Sequence, residues 1–118
     1  MEVDVEVKEG PPITGIVRLT GYIETPQARR LRRVLDEVED KRIGRIIFDM
    51  SEVPFISSTG LSLLVSYANA KRGEWGENPV VLVGLLPAVE KAMKVLGISG
   101  IFLAVPDMKS ALERFGLS

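Results

Sequence analysis

Three short runs dense in β-branched and other apolar residues, IGRIIFDM (Ile43 to Met50), PVVLVG (Pro79 to Gly84) and IFLAV, are each followed by a stretch whose apolar residues recur three and four apart. Apolar runs without alternation are strands covered on both faces, and the stretches after them are helices with one buried stripe. Strand, helix, strand in repetition requires crossover connections and hence parallel pairing. The pattern predicts an α/β fold.

The rest of the chain extends this frame. Val3, Val5 and Val7 alternate with Glu2, Asp4, Glu6 and Lys8, the period-two mark of a strand with one buried face. ITGIVRLTG supplies a second strand, and the short KEGPP connection makes the two a hairpin. The first helix is read with Thr25 as N-cap, Pro26 at the first helical position and Ala28, Leu31, Val34, Leu35 and Val38 inward. Leu61, Leu64, Val65 and Ala68 mark a second helix, and Val89, Ala92, Met93 and Leu96 a third, with Gly97 where a left-handed C-cap belongs. Met108, Ala111, Leu112 and Phe115 mark a fourth. The order β-β-α-β-α-β-α-β-α predicts a mixed, mostly parallel sheet of about five strands with four helices. A length of 118 residues fits one domain, read as 1–118. KRGEWGENP reads as a polar loop, in which Trp75 is either a contact residue or folded back over the core edge.

Composition then removes most chemistry. The chain has no cysteine and no histidine, which excludes disulfides, the usual structural zinc, thiol nucleophiles and imidazole bases. No phosphate-binding G-x-x-x-x-G-K-[ST] and no G-x-S-x-G elbow occurs, and Lys41 and Lys71 fall at helix ends. Asp49 with Glu52 is not a coordination sphere, and Asp49 is expected to cap its own loop. The reading is therefore a protein that is not an enzyme, with no cofactor and no metal. A net charge of -1 argues against direct nucleic-acid binding. No apolar run is long enough to insert in a membrane and the acidic start is unlike a signal peptide, so the expected location is cytoplasmic. Arg29, Arg30, Arg32 and Arg33 precede Asp36, Glu37, Glu39 and Asp40, which makes a solvated face with pairs such as Arg32–Asp36 and Arg33–Glu37, or else a docking surface for an acidic partner.

One loop stands apart. FISSTG (Phe55 to Gly60) joins a strand to a helix, the kind of junction where sites form in parallel sheets. Ser57, Ser58 and Thr59 must cap the helix or project into water. A cap needs one hydroxyl, so others are spare. A phosphoryl group on a spare hydroxyl here adds about -1.5 to -2 charge at the end of the helix whose dipole stabilises it. Such a residue can be switched without breaking the fold; the alternative is that all three hydroxyls serve only as caps and turn formers.

Asp49-Met50-Ser51 followed by Phe55-Ile56-Ser57-Ser58-Thr59-Gly60-Leu61 resembles the central motif of the STAS domain family, the bacterial anti-sigma factor antagonists. RLTGYIETPQA resembles the family's loop after the second strand, and LPAVEKAMKVLGISGIF its later helix, glycine and short last strand, so the likeness spans essentially the whole chain. The resemblance implies that Ser58 is the phosphorylated serine and that Glu24 is the acidic position of a neighbouring loop. It implies a partner surface of Glu24, Ser57, Ser58, Thr59, Gly60 and the exposed side of their helix. The family often has Asp before the acceptor, where this chain has Ser57, and a second Ser where it has Thr59. By this resemblance the unphosphorylated protein binds an anti-sigma factor serine kinase and releases a sigma factor, and a phosphatase resets Ser58. The alternative it allows is a constitutive STAS scaffold in a signalling assembly or membrane transporter.

Overall fold

The computed structural model describes residues 1–10, 12–76 and 78–117. Strands β1 (Glu2–Lys8) and β2 (Thr14–Thr20) pair antiparallel, with Glu2 opposite Thr20 and Lys8 opposite Thr14. β2 then pairs parallel with β3 (Arg45–Glu52), β3 with β4 (Val80–Val83), and β4 with β5 (Leu103–Val105). The five strands lie in sequence order. This is the mixed, mostly parallel sheet the sequence predicts.

Sequence order has a consequence for the helices. Right-handed crossovers that always step the same way along a sheet put every connecting helix on the same side. Helices α1 (Thr25–Glu39), α2 (Ser58–Trp75) and α3 (Pro87–Val95) accordingly share one core with Val17, Leu19, Ile46, Phe48, Met50, Val80 and Leu82. The final helix α4 (Met108–Arg114) has no later strand to connect. It packs Ala111 on the opposite face, against Ile16, Ile47, Val81 and Val83. No described helix is long and apolar enough to cross a membrane.

Several boundaries differ from expectation. β3 starts at Arg45, not Ile43, because Gly44 turns against Pro12 and donates its N–H to the Ile13 carbonyl at 2.8 Å. Glu24, not Thr25, is the N-cap residue of α1; its N–H donates to the Gln27 side chain at 3.1 Å, and Thr25 is the first helical residue. α2 runs on past Arg72 through Gly73 and Glu74 to Trp75, residues read as loop. That extension is rewarded by packing: Trp75 folds back over the core edge, its ring edge-on to Tyr67 at 6.0 Å. Lys71 lies 5.0 Å from the Trp75 ring and pairs with Glu39 of α1 and with Glu74 at 3.2 Å. Burial alone would lower the Lys71 ammonium, but its hydrogen bonds to Glu39 and Glu74 outweigh this and raise it. Leu96, read as part of the inward stripe of α3, lies just past its end and is 56% exposed. Gly97 follows at φ 71°, the left-handed conformation expected there.

Candidate functional site

The site is made by two loops that zip together at the carboxyl ends of β2 and β3. Gly21 donates its N–H to the Glu52 carbonyl, Ile23 to that of Phe55, and Ser57 to that of Ile23, at 2.8–2.9 Å. Ile23 and Ile56 thereby form a parallel bridge beyond the named strands, both side chains buried. The bridge holds the chain extended up to Glu24 and Ser57, and each loop enters a helix at the next residue. The amino termini of α1 and α2 stand side by side, and the Thr25 hydroxyl donates to that of Thr59 at 3.3 Å.

The three hydroxyls then divide their roles. Ser57 is the N-cap of α2, half-buried, its Oγ accepting the Gly60 N–H at 3.1 Å. Ser58 and Thr59 occupy the first two helical positions and are exposed. With the Gly60 N–H taken by the cap, the first-turn N–H groups of Ser58 and Thr59 still lack backbone acceptors among the described residues. Ser58 therefore sits at the positive end of an 18-residue helix, exposed, while the capping bond is made by Ser57.

Of the expected contact residues, Glu24, Ser57, Ser58 and Thr59 are brought together, and Glu24 is exposed. Gly60 is not at the surface. It is buried, and a Cβ there would come within 2.7 Å of Ile56 Cγ1 and 3.1 Å of Ile23 Cγ2. Glycine is required at this position so that α2 can approach the loop bridge closely. Asp49 does cap its own loop: one carboxylate oxygen accepts the Ser51 N–H at 3.0 Å and the Ser51 hydroxyl at 2.7 Å. No group of three potential ligands is placed to hold a metal among the described residues.

Sequence reading missed the apolar rim. Tyr22 and Phe55, one from each loop, are 58% and 45% exposed with ring centroids 6.0 Å apart. On the other side of Ser58 a cleft of about 370 Å³ runs between α2 and the segment after α3, lined by Leu61, Ser62, Val65, Leu96 and Ile98. The signal for the rim was present in part. Phe55 adjoins the hydroxyl run directly, but only the bridge between the loops, which buries Ile23 and Ile56, shows that the preceding rings of Tyr22 and Phe55 both face outward. The basic cluster Arg29, Arg30, Arg32 and Arg33 is exposed on α1. Arg32–Asp36 pairs at 3.8 Å, whereas Arg33–Glu37 is absent from the ion pairs of the described residues.

This geometry has close parallels. The model of the STAS domain family matches residues 2–113. BtrV of Bordetella bronchiseptica, named as an anti-sigma factor antagonist, is 29% identical over 100 residues, covering 85% of this chain and 84% of that protein. Among solved structures, an anti-sigma factor antagonist from Mycobacterium paratuberculosis superposes with a TM-score of 0.73 at 22% identity, covering 96% of this chain and 93% of that one. The Bacillus cell fate determinant SpoIIAA in its phosphorylated form gives 0.69 at 16% identity, covering 95% and 99%. At such identities the superpositions speak to the fold alone.

Proposed function

The chain belongs to the STAS domain family, among the anti-sigma factor antagonists, and on that premise we propose that it is a binding module switched by phosphorylation of Ser58. Unphosphorylated, the surface of Glu24, Ser57, Ser58, Thr59 and the exposed side of α2 docks on an anti-sigma factor serine kinase in the cytoplasm, and a sigma factor is released. A phosphatase restores the free hydroxyl.

The observation that carries this reading is the division of labour at the start of α2: Ser57 holds the cap and leaves Ser58 exposed. A phosphoryl group there is accepted without loss of the cap, and the helix dipole favours its charge. The effect on a partner is large. About two charges facing one partner carboxylate at about 8 Å, with an effective dielectric near 20, repel by about 4 kcal/mol, or roughly a thousandfold in affinity. No refolding is needed. The scheme asks no turnover of this chain, whose Ser58 accepts the phosphoryl group from the kinase.

Incubation with the cognate kinase and ATP, followed by mass mapping, tests the assignment. Phosphate is expected on Ser58, Ser58→Ala is expected to bind the kinase permanently, and Ser58→Asp, with one charge, to weaken binding about thirtyfold. Phosphate found only at other residues ends the assignment. The neutral outer face of α2 also suits a constitutive scaffold contact; in that case Ser58→Asp leaves assembly intact and the protein co-purifies with a large or membrane-bound complex.

A further inference from the structure

At the opposite end of the sheet, where β3 and β4 begin, a cleft of about 350 Å³ is lined by Arg45, Arg114, Asn78, the rings of Trp75 and Phe115, and two prolines. Arg45 is half-buried and held in place. Its Nε donates to the Thr14 hydroxyl at 2.8 Å, Thr14 is fully buried, and the guanidinium lies 4.5 Å over the Phe115 ring. Burial lowers its readiness to carry charge, the reverse of what a carboxylate partner would do. Neither Arg45 nor Arg114 is among the ion pairs of the described residues. Asn78, at the rim, holds a positive φ of 49°, in the left-handed region that asparagine adopts more readily than most residues.

A rigid, partly desolvated guanidinium with donors to spare and no counter-charge among the described residues is a built half-site for an oxyanion. We propose that this cleft binds a phosphate group, the two guanidinium ions matching a dianion and the flanking rings giving an apolar wall to whatever carries it. A carboxylate would satisfy only one of the two cations. The cleft is remote from Ser58, so the proposal stands or falls independently of the switch.

Trp75 lines the cleft and is the only tryptophan of the chain, so its fluorescence reports occupancy directly. The full chain is titrated with inorganic phosphate, and separately with acetate, at constant ionic strength set with sodium chloride. The expected result is a saturable change with phosphate, at least tenfold weaker with acetate, and weakened at least tenfold by Arg45→Gln and by Arg114→Gln. Arg114 is exposed on the last turn of α4, so its variant keeps the fold even if Arg45→Gln does not. A linear response shared with chloride, equal binding of acetate, or undiminished binding by Arg114→Gln overturns the proposal.

Discussion

α1 and α2 begin side by side, yet their outer faces are opposites. The exposed positions of α1 include Arg29, Arg30, Arg32, Arg33, Asp36 and Glu37, whereas α2 carries no charged residue from Ser58 to Ala70 and exposes Ser58, Thr59, Ser62, Ser66, Asn69 and Ala70. A charged face keeps its water, because desolvating each ion costs more than most contacts return. Small neutral side chains lose little hydration and little rotamer freedom on contact. The α1 face is thus suited to solvent and the α2 face to a partner. A second lesson concerns the switch: two new charges weigh most where the background charge is zero.

The sharpest way to break this contrast is to make α2 resemble α1. Ser62 is exposed one turn beyond Ser58 and lines the cleft with Leu96 and Ile98. Ser62→Glu places one permanent charge there, about half the phosphoryl effect, or about 2 kcal/mol of lost binding and roughly a thirtyfold rise in Kd. Stability should hold or rise slightly, since an acid near a helix N-terminus is favourable. Arg33→Ser on α1 should shift Kd by less than threefold. Calorimetric titration of the partner with both variants decides it, and equal effects would show that α1 belongs to the interface.

Gly60→Ala sets local propensity against packing. Alanine in a helix is favoured over glycine by about 1 kcal/mol, so an exposed Gly60 would make the substitution stabilising. The Cβ contact of 2.7 Å with Ile56, itself 5% exposed and backed by the fully buried Ile23, predicts the other sign. Overpacking of this kind costs about 1–3 kcal/mol, leaving a net loss near 1 kcal/mol or somewhat more in urea unfolding. A gain would mean that the loop bridge yields easily, and with it the frame that presents Ser58.

Much of this was legible in the chain because it is written in local periods. The helical stripes, the unalternating strand runs and the glycine after α3 all depend on neighbours a few residues away, and the parallel sheet follows from their order. The spare hydroxyl was legible too, since a cap uses one oxygen and the motif offers three. Which oxygen caps was not. It depends on where extended backbone ends, and that is fixed by Ile23 meeting Ile56 across two loops. The same kind of contact decides the burial of Gly60 and the helical state of Trp75. Leu96 went astray differently: it keeps the apolar spacing of α3 but falls after the helix has stopped, so its side chain turns outward.

The smallest expected effect compares the two helices through stability alone. Ser57→Ala removes the one side-chain cap of α2 and should cost about 1 kcal/mol, while Arg32→Ala removes an exposed pair at 3.8 Å and should cost at most a few tenths. Ser57→Asp restores the acceptor, because Asp caps as well as Ser, and should recover most of the loss. It also sets a carboxylate beside Ser58. If Ser57→Ala costs no more than Arg32→Ala, the cap is not held by Ser57. Ser58 would then be the residue with structural duty, and a charge added to it would act by fraying α2 instead of by repelling a partner.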